Sequence, residues 1–219
     1  MSETPESQAF PWERIKPYRF YGVAAALVRV IAPILFSVKV KGRENLPKSS
    51  HGLILASNHL HSIDPAFFVA YSHRKWRFMA KTELFRNKFV AFILRNANGF
   101  PVNRDAIDRK ALRFAVEVMQ DGRCGLGIFP EGQRSPDGLP REAKAGIAML
   151  ARETKADILP CSLYHEGKLG FRTRVTVRFG KVIPFGELGL GDTPNKRETR
   201  AACEKIMGAI TELWEKKDA

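Results

Sequence analysis

The sequence predicts an α/β domain with a mostly parallel central sheet flanked by helices. Beyond residue 40, short apolar runs alternate with segments of helical periodicity. That alternation is typical of a parallel sheet covered on both faces. The 219 residues suit one domain, and no internal repeat, low-complexity tract or long linker divides them.

Five segments are predicted strands. Four are short apolar runs that end at Pro or a polar turn, a pattern typical of buried strands: 52–57, 76–80, 124–129 and 158–163. The fifth segment, 174–179, alternates apolar and polar residues, as a strand with one solvated face does.

Helices are predicted between these strands, over about 83–96, 105–120, 142–153 and 194–216. Each places apolar residues on one face at helical spacing. A shorter helix is predicted to begin at Asp64, because Asp followed by Pro65 supplies an N-cap and a first helical residue.

An apolar segment at residues 20–38 precedes the predicted sheet. Nineteen helical residues would span about 28 Å, but Arg29 lies at the centre and Pro33 interrupts the helix. A buried core helix, a helix at a membrane interface and a membrane crossing are the three interpretations. We favour the interfacial helix, and the crossing is the least favoured. Residues 1–40 are thus predicted to form a tail and a membrane-associating helix, and 41–219 the α/β domain.

The charge balance predicts a partner that carries phosphate groups. Lys and Arg number 36 against 23 Asp and Glu, a net charge of +13. Either nucleic acid or an anionic membrane fits this surplus. No helix-turn-helix, zinc-finger or RNP-type motif supports nucleic acid. Residues 74–110 hold ten of the bases and three acids, interleaved with Phe85, Phe89, Phe92 and Leu94, a pattern that favours a membrane surface.

Three cysteines, Cys124, Cys161 and Cys203, form no CxxC pair. Their odd number and wide spacing argue against a disulfide framework and fit a reducing compartment. The first ten residues carry two acids and no base, which is the wrong polarity for a secretory signal.

A first polar cluster, NHLHSIDP at residues 58–65, directly follows the predicted strand 52–57. If the loop folds His59 back towards Asp64, the carboxylate would fix one ring nitrogen and leave the other as a base. An Asp-Pro helix start with no catalytic role explains the same residues. His59 and His61 also form an H-x-H pair, but no further histidine has matching spacing, and we expect no metal.

Two further clusters lie at predicted turns. GFPVNRD, residues 99–105, places Arg104 near a helix N-terminus, where a phosphate could bind. A surface arginine beside a capping Asp105 is the alternative. FPEGQRSPDG, residues 129–138, places Glu131, Gly132 and Arg134 at the end of a strand. A β-turn explains its Gly and Pro residues but not the paired carboxylate and guanidinium.

Together these segments resemble the four conserved blocks of the glycerolipid acyltransferase superfamily. NHLHSID resembles the H-x4-D block, GFPVNR the second, FPEGQRS the third and ILPCSL the fourth, with AKAGIAMLA similar to the helix start that follows the third. The resemblance covers about residues 40–185 and is nearest to the bacterial 1-acylglycerol-3-phosphate acyltransferase group. Gln133 stands where that family usually has Thr or Ser.

The resemblance implies transfer of an acyl group from an acyl thioester, either acyl-CoA or acyl-carrier protein, to the free hydroxyl of a lysophospholipid, without a further cofactor. The most favoured acceptor is 1-acylglycerol-3-phosphate, which would give phosphatidate. His59 would act as the base and Asp64 would orient it. The resemblance also implies residues that bind the acceptor: Arg104 and Arg134 at its phosphate, Glu131 and Gly132 at the glycerol, and Lys81 and Lys144 in the same anionic pocket.

The implied location is the cytoplasmic face of the cell membrane, as a peripheral or monotopic protein. The implied partners are the phospholipid surface, the lysophospholipid and the thioester donor, but no nucleic acid. An acyltransferase for a different lysolipid, or a basic nucleic-acid-binding or lipid-binding module without catalysis, is the alternative.

Overall fold

The computed structural model describes residues 10–12, 20–48, 52–103 and 108–217. The strands are β1 Ser37–Lys41, β2 Leu53–Ser57, β3 Trp76–Lys81, β4 Gly99–Val102, β5 Gly125–Ile128, β6 Asp157–Tyr164 and β7 Arg174–Phe179. The helices are α1 Tyr21–Leu35, α2 Asp64–Tyr71, α3 Lys88–Asn96, α4 Arg109–Asp121, α5 Gly146–Thr154 and α6 Lys196–Glu215.

The strands form one sheet in the order β1-β7-β6-β2-β5-β3-β4. The five strands from β6 to β4 are parallel to one another, which confirms the predicted mostly parallel sheet. Strand β7 pairs antiparallel with β6, and β1 pairs parallel with β7, so these two run the opposite way. The edge at which the five parallel strands end is called the carboxyl edge below, and the opposite one the amino edge.

Two strands were not predicted from the sequence. Among the described strands, β4 pairs only with β3, and Pro101 is tolerated there because an edge strand leaves one side of its backbone unpaired. Strand β1 is the other edge and alternates exposed and half-buried residues. It spans residues 37–41 and therefore crosses the domain boundary placed at residue 40. The predicted helix at 83–96 is divided by Asn87, whose side chain accepts the backbone N–H groups of Phe89 and Val90 to begin α3.

Apolar clusters cover both faces of the sheet. Helices α4, α5 and α6 bury one face, and α1 and α2 cover the other. The glycines of β5 make room for aromatic rings on the second face. A Cβ at Gly125 would lie 2.3 Å from the Trp76 ring, and one at Gly127 would lie 2.2 Å from the Phe78 ring. No larger residue fits at either position unless the ring moves.

Helix α1 packs on α2 through the buried residues Tyr21, Ala25 and Ala32. Arg29, the charge at its centre, donates from Nε to the Ala70 carbonyl at 3.0 Å and so caps the last turn of α2. Pro33 lies inside the last turn of α1, which ends two residues later. Among the described residues, none of the helices combines the length and the apolar character that a membrane crossing requires.

Candidate active site

The carboxyl edge brings the His59 cluster and the Glu131 cluster together. The His59 loop follows β2, and the loop containing Glu131 follows β5, the neighbouring strand. Lys81 ends β3, which pairs with the other side of β5. Ligands of open α/β sheets bind at such strand ends. Arg104 follows the end of β4 and lies outside the described residues.

His59 and Asp64 meet as the sequence predicted. The Nδ1 atom of His59 lies 2.8 Å from Oδ2 of Asp64, and both side chains are buried. The same Oδ2 accepts the backbone N–H of Leu60 at 2.7 Å and that of His61 at 2.8 Å. Asp64 also begins α2, where an anionic side chain is favoured. The five-residue spacing therefore forms a tight turn around one carboxylate oxygen.

This turn fixes which imidazole nitrogen is left to react with a bound molecule. An ionised Asp64 accepts a hydrogen bond from Nδ1–H of His59. Neutral His59 therefore carries its proton on Nδ1 and keeps a lone pair on Nε2. The carboxylate also stabilises the imidazolium that forms when Nε2 takes up a proton. The pair therefore has the geometry of a general base that receives a proton from a bound hydroxyl group.

The loop after β5 holds His59 at three points. The Phe129 ring stacks on the imidazole with centroids 4.0 Å apart and planes at 14°. Oε1 of Glu131 accepts the His59 backbone N–H at 3.1 Å, and the Ser135 N–H donates to the His59 carbonyl at 2.8 Å. Sequence reasoning found Glu131 but missed Phe129 and Ser135 as contacts of the histidine.

Glu131 is a buried carboxyl group, 3% exposed. Burial raises its pKa to about 7, although the His59 N–H that it accepts acts in the opposite direction. Its second oxygen, Oε2, is buried and has no hydrogen-bond partner among the described residues. An unsatisfied buried oxygen is costly, so Oε2 is suited to a hydroxyl group of a bound molecule.

Asn58, which sequence reasoning also missed, extends the pairing of β2 with β6 beyond Ser57. Its side-chain amide donates to the Leu163 carbonyl, and its Oδ1 accepts the Leu163 N–H, both at 2.9 Å. The side chain thus takes the place of a backbone strand partner and fixes the start of the His59 loop. An asparagine directly after a buried strand was the only signal in the sequence.

The Lys144 side chain occupies the space beside Gly132. Gly132 has φ +72°, and a Cβ there would lie 2.8 Å from Cδ and Cε of Lys144. The Lys144 N–H donates to the Pro130 carbonyl at 2.9 Å. The glycine is needed both for the left-handed backbone and for the space that the lysine occupies. Helix α5 begins at Gly146 rather than at the predicted residue 142, so Lys144 lies on the segment before it.

The other cations of the predicted pocket differ in their partners. Lys81 forms an exposed ion pair with Glu83 at 3.1 Å. Arg134 is exposed and makes no hydrogen bond or ion pair with the part of the chain that the structure describes. Asp137, three residues after it, accepts from Ser135 Oγ at 2.6 Å and from Arg141 at 3.1 Å. These bonds lower the pKa of Asp137 to about 2.

A metal site is not assembled by the described residues, which contain no group of three or more candidate ligands. The two histidines of the H-x-H pair have other partners. Nδ1 of His59 bonds Asp64, and Nδ1 of His61 accepts the Ile63 N–H at 3.4 Å.

The chain resembles known proteins in both sequence and fold. The sequence profile of the acyltransferase family matches residues 37–164. A 1-acyl-sn-glycerol-3-phosphate acyltransferase of Bacillus subtilis is 29% identical over 202 residues, which are 90% of this chain and 98% of that protein. One from Borreliella burgdorferi is 38% identical over 128 residues, 58% of this chain and 50% of that protein. The crystal structure of the 1-acyl-sn-glycerophosphate acyltransferase PlsC of Thermotoga maritima matches with a TM-score of 0.69 and 26% identity, covering 91% of this chain and 80% of that chain.

Proposed function

The chain belongs to the acyltransferase family, and on that premise we propose that it moves a fatty acyl group from an acyl thioester to the free hydroxyl of a lysophospholipid. The proposed acceptor is 1-acylglycerol-3-phosphate, and the product is phosphatidate. The observation that carries the proposal is the buried His59–Asp64 pair at the carboxyl edge, which supplies a base without a nucleophilic side chain. The relatives in bacteria and chloroplasts that carry the 1-acyl-sn-glycerol-3-phosphate acyltransferase name support the choice of acceptor.

The reaction follows from the geometry of the pair. Nε2 of His59 removes the proton of the acceptor hydroxyl while its oxygen attacks the thioester carbonyl carbon. The new C–O bond forms, the C–S bond breaks, and the imidazolium returns its proton to the leaving thiolate. Asp64 holds the ring and stabilises its charge in between. No metal or nucleotide is required, because the thioester is already activated.

The acceptor site is proposed to lie around Glu131 and the cations of the same edge. Oε2 of Glu131 would bind a glycerol oxygen, since it is buried and unpaired. Arg134, together with Lys144, Lys81 and Arg104, would bind the phosphate. The exposed, unpaired guanidinium of Arg134 supports this assignment, because it needs no rearrangement to reach an anion.

The proposed activity is tested by incubating the full chain with a fatty acyl thioester and a panel of lysolipids. We expect free thiol to appear only when an acceptor is present, with phosphatidate formed fastest from 1-acylglycerol-3-phosphate. Parallel donors, acyl-CoA and acyl-carrier protein, identify the thioester that is used. Thiol release at the same rate without an acceptor, or no release with any acceptor, would contradict the proposal.

We also propose a peripheral or monotopic position at the cytoplasmic face of the cell membrane. Helix α1 supports it, because its outer face is apolar and exposed, whereas its other face packs on α2. The exposed large apolar side chains of α1 are Val23, Leu27, Val30, Ile31, Ile34 and Leu35. Its 15 residues span about 22 Å, which suits a helix in the interface plane rather than a crossing.

Replacing Phe129 with Leu is expected to lower the turnover number about 3- to 10-fold with little change in KM. A face-on aromatic contact contributes about 0.5–1.5 kcal/mol beyond burial, and here it restrains the imidazole. Steady-state kinetics with saturating donor measure the effect. Phe78→Leu is the matched control, because Phe78 stacks on Phe129 with centroids 5.8 Å apart, whereas Phe129 is the ring that stacks on His59. Phe129→Tyr keeps the ring and should turn over as the wild type does. Equal losses in Phe129→Leu and Phe78→Leu would contradict a positioning role for Phe129.

Glu131→Gln is expected to raise the free energy of unfolding above that of the wild type at pH 8, by up to about 3 kcal/mol, and to have little effect near pH 5. The pKa of Glu131 rises from 4.5 unfolded to about 7 folded. Its stabilising contribution is therefore present below pH 4.5 and is lost as the pH rises through 7. The glutamine still accepts the His59 N–H and never ionises. Denaturant titrations from pH 5 to 8 measure the difference.

Asp137→Asn is the control for that titration, because the lowered pKa of Asp137 lies below this pH range. We expect no change in the pH slope of stability for this variant. A Glu131→Gln protein whose stability runs parallel to that of the wild type across the range would show that Glu131 is ionised throughout.

A further inference from the structure

A second pocket, of about 480 Å³, opens at the amino edge of the sheet, opposite to the edge that carries His59. Three loops line it, at residues 43–48 before β2, at 72–75 before β3 and at 123 before β5. No acid is present among its described lining residues, and six of them are basic: Arg43, Lys48, His73, Arg74, Lys75 and Arg123. A concave site lined by charges of one sign concentrates ligands of the opposite sign.

Most of these charges have no acidic partner. Arg123 pairs with Asp121. Four cations form no ion pair with the part of the chain that the structure describes: Arg43, Lys48, Arg74 and Lys75. The guanidinium carbon of Arg43 instead lies 5.9 Å from the centroid of the Tyr71 ring, a contact that leaves the N–H donors of the arginine available to an anion. The charges of the pocket therefore repel one another until an anion binds among them.

Hydrogen bonds hold the backbone that carries these cations. The hydroxyl group of Tyr21 donates to the Arg74 carbonyl at 2.9 Å and accepts the Trp76 N–H at 3.1 Å. The Gly125 N–H donates to the Lys75 carbonyl at 2.9 Å, which joins the loop before β3 to the strand that follows Arg123. A site whose backbone is already ordered loses less conformational entropy when a ligand binds.

His73 adds an unusual backbone conformation to the pocket. It has φ +54° and follows directly after the last residues of α2, a place where glycine is usual because a Cβ is disfavoured there. Partial burial lowers the pKa of His73, and the charges of Arg43 and Arg29 lower it further. The positive potential of the pocket therefore acts on the His73 imidazole without an anion to offset it.

We propose that this pocket binds a soluble diphosphate, either pyrophosphate or the diphosphate group of a small molecule, at a site separate from the acyltransferase site. Each phosphate group carries about 1.5–2 negative charges near neutral pH, so two of them match the four unpaired cations. A planar guanidinium binds two phosphate oxygens at once, and a lysine adds a point charge.

The lining and position of the pocket favour a soluble ligand over a lipid. Its apolar lining residues, Leu46 and Pro47, are half-buried and offer little surface to acyl chains. The five residues of β2, Leu53–Ser57, rise about 16 Å between the two edges of the sheet. A diphosphate held at the amino edge is therefore too far from His59 to take part in acyl transfer.

Binding is tested by isothermal titration of the full chain with sodium pyrophosphate at low ionic strength. We expect the Arg74→Gln, Lys75→Gln double variant to bind about 10- to 100-fold more weakly than the wild type, because two charge-assisted contacts are lost. The matched control is Lys168→Gln with Lys181→Gln, which removes the same charge from two exposed lysines outside the pocket. The control should bind as the wild type does, and melting temperatures show that each variant is folded. Equal losses in the two double variants would overturn the proposal in favour of attraction by the overall charge.

An NMR titration of His73 identifies the site, because the cations of the carboxyl edge can also attract pyrophosphate. We expect pyrophosphate to raise the pKa of His73 in the wild type and in Arg134→Gln, but not in the Arg74→Gln, Lys75→Gln variant; His73→Asn assigns the resonance. Dihexanoyl-phosphatidylglycerol, a monomeric lipid, serves as the headgroup probe in a parallel titration. A pKa of His73 that pyrophosphate leaves unchanged, or that only the lipid raises, would overturn the proposal. Both measurements report binding alone, so their outcome is independent of the acyltransferase activity.

Discussion

Replacing His59 with Ala is expected to lower the rate of acyl transfer by about 10²- to 10⁴-fold, the range that a general base contributes. Nothing else in the described site offers a lone pair at the position of Nε2, because Asp64 is committed to three donors and the oxygens of Glu131 lie on the neighbouring loop. Single-turnover rates with saturating donor and acceptor measure the loss. The melting temperature should change little, since the loop keeps its backbone hydrogen bonds.

His61→Ala is the matched control for this prediction. His61 lies two residues away and its side chain is not bonded to Asp64, so its removal should leave most of the rate. Asp64→Ala should be nearly as damaging as His59→Ala, because three donors lose one acceptor. Equal losses in His59→Ala and His61→Ala, together with inactivation by EDTA and recovery with zinc, would instead support the metal interpretation of the H-x-H pair.

The sequence was sufficient to predict the strands that precede the His59 and Glu131 loops, because each is a short apolar run that ends at a polar turn. The runs 52–57, 124–129 and 158–163 are buried on both faces, and continuous apolar residues identify such strands. The edge strands could not be found in this way. Strand β4 has four residues and includes Pro101, and β1 has lysine at alternate positions, so neither resembles a buried strand.

Only part of the site was predicted, because only some of its contacts are made between motif residues. The spacing of His59 and Asp64 implied a turn, and the structure has that turn. The stacking of Phe129 on His59 and the bond from the Ser135 N–H depend on the adjacency of β2 and β5 in the sheet, which no local pattern encodes. A phenylalanine at the end of a buried strand is predicted to be a core residue. Phe129 is buried, but its ring also stacks on His59.

The neighbours of Arg134 separate two roles that the sequence leaves open for it, holding its own loop and binding a phosphate. An arginine that only held its own loop would pair with Glu131 or Asp137, the acids three residues before and after it. Instead, Asp137 binds Ser135 and Arg141, and Glu131 faces the His59 backbone. Arg134 is therefore exposed beside the proposed acceptor site, and among the described residues it makes no bond that would hold its own loop.

Arg134→Lys is expected to lower kcat/KM for 1-acylglycerol-3-phosphate about 10- to 100-fold, the equivalent of about 1.4–2.8 kcal/mol. Lysine keeps the charge but loses the planar fork that binds two phosphate oxygens at once. Transfer to an acceptor without a phosphomonoester should fall much less. Kinetics with the two acceptors in parallel, at one donor concentration, measure the selectivity.

Arg141→Lys supplies the matched control, because Arg141 belongs to the same loop but donates to Asp137 at 3.1 Å. Loss of that bond loosens the loop and should affect both acceptors equally and weakly. The ratio of the two kcat/KM values therefore separates phosphate recognition from loop stability. If Arg134→Lys lowered both values by the same factor and also lowered the melting temperature, Arg134 would be a structural residue, and the phosphate would have to be bound by other cations of the edge, such as Lys144 and Lys81.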